Sequence, residues 1–291
     1  MTEHFGFKPV IIIGAPRSGT NMLRDLLCNL DGVGTWPCDE INYIWRHGNI
    51  GQSHDDFDQR LASPKIIAYI RACFSRMATR GRFEFLVEKT CANSLRVPFV
   101  DKVIPEARYI FIVRNGLDAL ASANLRWKAP IDPKYLYQKA RYVPPADLPY
   151  YAVRYLGNRI YRLLSKNKRL AYWGPQFIGI EEQLQNYSLQ QICALQWKRC
   201  VESARRAFEQ MPADKVIRVS YEKFVGHPQA ELGEICRQLE IPVTANDLQK
   251  VVSGVTNANV GKWRMTLTED DLKDIYPHVG GLLEDYGYSV D

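Results

Sequence analysis

Four consecutive branched aliphatic residues, Val10-Ile11-Ile12-Ile13, stop at Gly14, and a helical pattern begins a few residues later. An unbroken apolar run has no solvent face, so it predicts a strand buried on both sides, as in a parallel sheet covered by helices. After Thr20 the apolar residues Met22, Leu23, Leu26, Leu27 and Leu30 recur at helical spacing, with Asp31-Gly32 as the stop. The segment Gly14-Ala15-Pro16-Arg17-Ser18-Gly19-Thr20-Asn21 therefore lies where a strand hands over to a helix, and there backbone N–H groups and the helix N-terminus converge on an anion.

The same grammar recurs along the chain. Phe85-Leu86-Val87 runs into Glu88-Lys89, and Arg108-Tyr109-Ile110-Phe111-Ile112-Val113 runs into Arg114-Asn115-Gly116, each reading as a buried strand that ends in a polar loop. Helical spacing follows over residues 117–125 and 193–211, residues 216–219 read as a further strand, and a helix is expected from Gln229 to Leu239. Strands alternating with helices predict an α/β fold of three layers, α/β/α, around a central, mostly parallel sheet. At 291 residues, with 46% apolar and 24% charged side chains, the chain is expected to form a single domain over residues 1–291.

Charge is unevenly spread. The net charge of +6 favours anionic partners, and between Lys128 and Trp173 ten Lys and Arg stand against two acids, Asp132 and Asp147. Nine aromatics, among them Tyr150, Tyr151, Tyr155 and Trp173, are interleaved with those cations, and Pro144-Pro145 and Trp173-Gly174-Pro175 break the pattern. Residues 128–180 thus read as a helical or irregular basic insertion on the α/β core, expected to bind the acceptor. Aromatic faces among cations suit sugar rings bearing acidic groups. They also describe nucleic-acid surfaces, but no RNA-recognition or helix-turn-helix signature accompanies them, so nucleic acid is not an expected partner.

Other classes are excluded by what the chain lacks. No stretch approaches the roughly 18 uncharged apolar residues of a bilayer span, and the apolar run after Met1 to Pro9 is too short for a secretory signal, so a cytoplasmic setting is expected. Seven scattered cysteines without a Cys-x-x-Cys pair read as reduced thiols. Five histidines show no metal-ligand spacing, and no metal is expected.

The loop after the first strand is not that of a nucleotide triphosphatase. There a Lys would clamp the terminal phosphates and a hydroxyl would hold magnesium, but Thr20 and Asn21 occupy those two positions and the positive charge sits earlier, as Arg17. Pro16-Arg17-Ser18-Gly19-Thr20 instead resembles the 5′-phosphosulfate loop of sulfotransferases, in the glycan and tyrosylprotein branch that carries Arg. Arg114 and Ser122, eight residues apart after a buried strand in Arg114-Asn115-Gly116-Leu117-Asp118, are similar to the same family's 3′-phosphate motif. An Arg at a strand end and a Ser two helical turns on can both reach one phosphate. Val87-Glu88-Lys89-Thr90, Val219-Ser220-Tyr221-Glu222 and Val260-Gly261-Lys262-Trp263-Arg264 resemble three further segments of that family, and the order agrees from about residue 9 to residue 265.

That resemblance implies a P-loop-like fold and a donor, 3′-phosphoadenosine-5′-phosphosulfate (PAPS), held by Arg17, Ser18, Gly19, Thr20, Asn21, Arg114, Ser122, Tyr221, Lys262 and Trp263. It implies transfer of the sulfuryl group to an acceptor hydroxyl, with Arg17 and Lys89 stabilising the leaving side and Glu40 as the base. Asp39 is the rival base. Arg24 and Asp25 read as a solvated helix face. Thr90-Cys91 departs from the family by replacing a proline-containing continuation, and no counterpart exists for the histidine base of the steroid and phenol branch. A saccharide acceptor is expected, with tyrosine, protein and small-molecule acceptors as alternatives, and a P-loop kinase, a hydrolase or a non-catalytic nucleotide-binding module as readings of another class.

Overall fold

The computed structural model describes residues 5–128, 139–164 and 173–289. Five strands, β1 (Lys8–Ile13), β2 (Val33–Gly34), β3 (Phe85–Lys89), β4 (Arg108–Val113) and β5 (Val216–Ser220), form one sheet in the order β2-β3-β1-β4-β5. Every adjacent pair is parallel. The expectation of a mostly parallel sheet is met throughout these strands. After β1 the chain steps out to the edge strand β2, returns to β3 beside β1, and then crosses to β4 and β5 on the other side. The connections therefore reverse direction beside β1, the place where open α/β sheets bind ligands at their carboxyl edge.

Alternation within the strands explains the three layers. Ile11 and Ile13 of β1 and Tyr109, Phe111 and Val113 of β4 point into one core, whereas Val10, Ile12, Ile110 and Ile112 point into the other. Both faces are fully apolar because helices cover both. The smaller core takes Leu23, Leu26 and Leu27 of α1 (Thr20–Cys28) together with Leu232 and Ile235 of the helix Pro228–Leu239. The larger core takes a short helix α2 (Asn42–Trp45), then α3 (Pro64–Gly81), α4 (Val97–Val103) and α5 (Gly116–Lys128), with the helices Leu189–Phe208 and Glu269–Asp285.

Helix ends differ from the sequence expectation for local reasons. The helix expected from Cys193 starts at Leu189, because Ser188 and Gln191 close a capping box there. The longest helices without a counterpart in the sequence reading are α3, capped by Ser63 with Pro64 in its first turn, and Glu269–Asp285, opened by a capping box of Thr268 and Asp271.

In the basic segment, α6 (Leu148–Leu164) is helical, while residues 129–138 and 165–172 lie outside the described residues, and with them Tyr135, Tyr137 and Tyr172. No helix among the described residues is long and apolar enough to cross a membrane.

Candidate active site

A cleft of about 950 Å³ opens at the carboxyl ends of β1, β3 and β4. Its floor is the loop between β1 and α1. Arg17 (φ 69°) and Gly19 (φ 87°) both take left-handed backbone conformations, which turn the chain sharply into α1. A Cβ at Gly19 would stand 2.5 Å from Cδ2 of Tyr221, and one at Gly14 would stand 2.8 Å from the Ile112 carbonyl oxygen. Both glycines are therefore required by close approach, Gly19 by its φ as well.

Arg17 and the residues expected at a second phosphate meet around this loop. Arg17 Nε donates to Ser122 Oγ at 2.8 Å, and Arg114 Nη1 donates to the Arg17 carbonyl at 3.0 Å. The Arg114 guanidinium also lies over the Tyr221 ring, 4.5 Å from its centroid. Burial first, then the charges of Arg126 and Arg114, pulls the Arg17 guanidinium below its ordinary range. Three cations so close together favour an anion between them.

Two buried donors here have no hydrogen-bond partner among the described residues, Ser18 Oγ and Arg114 Nε. An orphaned buried donor is costly unless a ligand completes it. Their chemistry, a hydroxyl in the loop and a guanidinium beside it, fits phosphate oxygens.

On the other side of the loop, the end of β3 carries a buried ion cluster. Lys89 Nζ lies 3.1 Å from Asp39 Oδ1 and 3.0 Å from Glu40 Oε1, and the Cys91 N–H donates to the same Glu40 oxygen at 3.2 Å. Burial alone would raise both carboxyls, but Lys89 and Lys139 hold Asp39 and Glu40 below the usual carboxylate range. Burial likewise disfavours the charged ammonium, yet Glu40 and Asp39 keep Lys89 above its ordinary value. Arg24 joins this cluster, donating from Nη1 to the carbonyl and carboxylate of Asp39 at 3.0 Å each. With its side chain only 12% exposed, Arg24 is not the solvated residue the sequence reading made it.

Behind the cluster lies a network that the sequence reading missed. Asp55, 1% exposed, accepts from Arg46 at 2.8 Å, from Asn42 at 3.3 Å and from the Gln176 N–H at 2.9 Å, and Arg96 stands at 3.4 Å. Arg46, Arg96 and the Gln176 amide together hold the Asp55 carboxyl low against the opposing effect of burial. Asn42 and Arg46 are one helical turn apart, but nothing in the local sequence links them to Asp55, Arg96 or Gln176, which only the fold brings together.

The remaining expected residues divide. Gly19, Thr20, Asn21 and Tyr221 line the cleft with Arg17, Asp39, Glu40, Lys89 and Arg114, and from the basic segment so do Lys139, Tyr151, Arg154, Tyr155 and Trp173. Lys262 and Trp263 do not line it. Trp263 is packed in the larger core, and Lys262 is exposed, its Nζ 2.8 Å from Asn259 Oδ1. Their segment is nevertheless tied to the site, because Asp118 accepts the N–H groups of Gly261 at 2.8 Å and Trp263 at 2.9 Å while lying 3.7 Å from Arg114.

Residues 9–139 and 158–245 match the sulfotransferase family. A sulfotransferase domain from the curacin biosynthetic pathway superposes with a TM-score of 0.61 at 12% identity, covering 100% of both chains. The sulfotransferase domain of the Synechococcus PCC 7002 olefin synthase gives 0.54 at 16% identity, over 99% of this chain and 98% of that one. Sulfotransferase STF9 from Mycobacterium avium gives 0.52 at 14% identity, over 98% of this chain and 78% of its own. At these identities the likeness is one of fold. No curated protein sequence matches significantly. The family match spans well over half of the residues and includes the strands, loop and helix that build the cleft, so the chain belongs to the sulfotransferase family.

Proposed function

We propose that PAPS binds with its 5′-phosphosulfate on the loop from Arg17 to Asn21 and its 3′-phosphate between Arg114 and Ser122, and that the sulfuryl group passes to a saccharide hydroxyl. The observation that carries the donor placement is the pair of unpartnered buried donors, Ser18 Oγ in the anion loop and Arg114 Nε beside it. Tyr221, under the Arg114 guanidinium, would bound the nucleotide. Lys262 and Trp263 act at most through the segment Asp118 holds. The whole chain works as one domain in this reading, with residues 128–180 as its acceptor wall.

In the transfer, the acceptor oxygen attacks sulfur while the bond from sulfur to the bridging oxygen of the 5′-phosphate breaks. Charge then grows on that bridging oxygen, and the acceptor proton must leave. Arg17, the loop amides and Lys89 serve the first need, each such preorganised donor being worth about 3 kcal/mol. Glu40, held ionised by Lys89, serves the second by taking the proton. The products are the sulfate ester and adenosine 3′,5′-bisphosphate.

A saccharide is favoured by the lining of the cleft, to which Tyr151, Tyr155 and Trp173 contribute aromatic rings and Lys139 and Arg154 contribute cations. A screen with labelled donor across acidic oligosaccharides, tyrosine peptides and lipids, with and without chelator, tests the reading. Label in oligosaccharides, unaffected by chelator, is the expected result. Label confined to peptides or lipids would refute the acceptor assignment, and no transfer at all would leave a nucleotide-binding module.

A further inference from the structure

Immediately after Lys89 the chain departs from the family pattern, and each of the two departing residues touches the Glu40 loop. Thr90 is fully buried; its Oγ1 accepts the Ile41 N–H at 3.2 Å and donates to Glu88 Oε1 at 2.5 Å. Glu88, itself 1% exposed, is held in turn by Asn93 Nδ2 at 2.9 Å. The Cys91 N–H donates to Glu40 Oε1 at 3.2 Å. Thus the peptide that follows Glu40 is tied to one residue past β3, and the Glu40 carboxylate is tied to the next.

A proline at position 91 would have no N–H to give. Lys89 also contacts Glu40, but an ammonium on a four-carbon stem swings, whereas a backbone N–H is fixed by the chain. Thr90, sealed from the cleft, cannot meet substrate and can act only through the Ile41 peptide.

We propose that the Thr90 hydroxyl and the Cys91 amide are positioning groups for Glu40, holding its carboxylate toward the cleft independently of where Lys89 points. This rests on Glu40 being the base.

The backbone permits a clean test. Cys91 opens a short 3₁₀ turn, Cys91–Leu95, and Thr90 sits at φ −133°, ψ 114°, the extended region that a following proline requires. Cys91→Pro therefore removes the N–H while leaving the turn intact, and Cys91→Ala is its reference because both lose the thiol. Thr90→Val removes the hydroxyl at constant shape, and Thr90→Ser returns it.

Each variant is assayed for kcat, donor KM and the pH dependence of kcat, in the natural background and with Glu40→Gln. C91P is expected to fall about tenfold in kcat below C91A, with donor KM within about twofold. Its acid limb moves to higher pH, since the carboxylate has lost a donor while Lys89, Lys139 and Asp39 still face it. T90V falls similarly and T90S recovers most of the loss. With Glu40→Gln in place, neither substitution lowers kcat further, the non-additivity expected of residues acting through one group.

Equal losses in both backgrounds, or an unmoved acid limb, would overturn the positioning role while leaving Glu40 as base. Wild-type kcat in E40Q alone would overturn both readings. Should T90V fail to fold, as its melting curve would reveal, the C91P and C91A pair decides.

Discussion

Arg17 and Ser122 are joined by a 2.8 Å hydrogen bond across the mouth of the anion loop, although 105 residues separate them. The guanidinium proposed to meet the 5′ group is thus held by the hydroxyl proposed to meet the 3′ phosphate, and the two ends of one nucleotide would be read by a connected pair.

Loss of either member should therefore be felt at both ends. Ser122→Ala removes a hydroxyl and the charge-assisted hydrogen bond it accepts from Arg17 and should weaken binding of adenosine 3′,5′-bisphosphate by about 1.4 kcal/mol, roughly tenfold, whereas Arg17→Ala removes the whole guanidinium and should cost about 2 to 3 kcal/mol. Titration calorimetry at fixed ionic strength measures both. Unchanged affinity in the Arg17 variant would place the nucleotide elsewhere.

Gly19→Ala should be more damaging than its size suggests. The new methyl would sit 2.5 Å from Tyr221 and at φ 87°, so steric clash and left-handed backbone strain of about 1 to 2 kcal/mol add together. Tyr221 would have to leave its place beneath Arg114. The expected outcome is a lower melting temperature that adenosine 3′,5′-bisphosphate no longer raises; a normal ligand-induced rise would show that the loop does not need this glycine.

The β1–loop–α1 unit was legible because each part is dictated locally. A strand buried on both faces must be an unbroken apolar run, a chain that turns at φ 87° calls for glycine, and Leu23, Leu26 and Leu27 must share a face to meet the sheet. Arg114 and Ser122 were legible for the same reason, their spacing being fixed by one strand end and one helix. Arg24 was not, because a lone Arg on a helix beside Asp25 looks solvated until Asp39 arrives from a separate loop. The Asp55 network was hidden more deeply, since only residues 42 and 46 share a helical turn, while 55, 96 and 176 come from separate segments. Trp263 misled in the opposite direction: its neighbours are charged, but Asp118 draws its backbone in and its ring fills the core.

Glu88 should make stability depend on pH in an unusual direction for a carboxylate. Burial pushes its carboxyl up to about 7 from an ordinary 4.5, against the opposing hydrogen bond from Thr90. A folded-state value above the unfolded one means that stability is fully present below pH 4.5 and is lost as pH rises toward 7, by roughly 3 kcal/mol in all. Glu88→Gln cannot ionise, so denaturant titrations should show the variant gaining on the wild type between those limits, whatever constant offset the amide introduces. A difference that stays the same at pH 4 and pH 8 would mean that Glu88 titrates normally.

Asp118 is the last point where a single group governs a whole segment. Its two carboxylate oxygens each accept a backbone N–H, from Trp263 at 2.9 Å and from Gly261 at 2.8 Å, and Arg114 lies 3.7 Å away. Asp118→Asn turns one acceptor into a donor, so one of those N–H groups loses its partner and faces another donor, and the charge beside Arg114 disappears. Because Asn259, a residue of the same segment, lines the cleft, the loss should reach the nucleotide as well as the core. A buried donor left unpaired costs about 1 to 3 kcal/mol, which predicts a lower melting temperature together with a five- to hundredfold weaker grip on adenosine 3′,5′-bisphosphate. Amide hydrogen exchange locates the effect: faster exchange confined to residues 257–266 is expected, and protection there as strong as in the wild type would show that Asp118 does not hold the segment down.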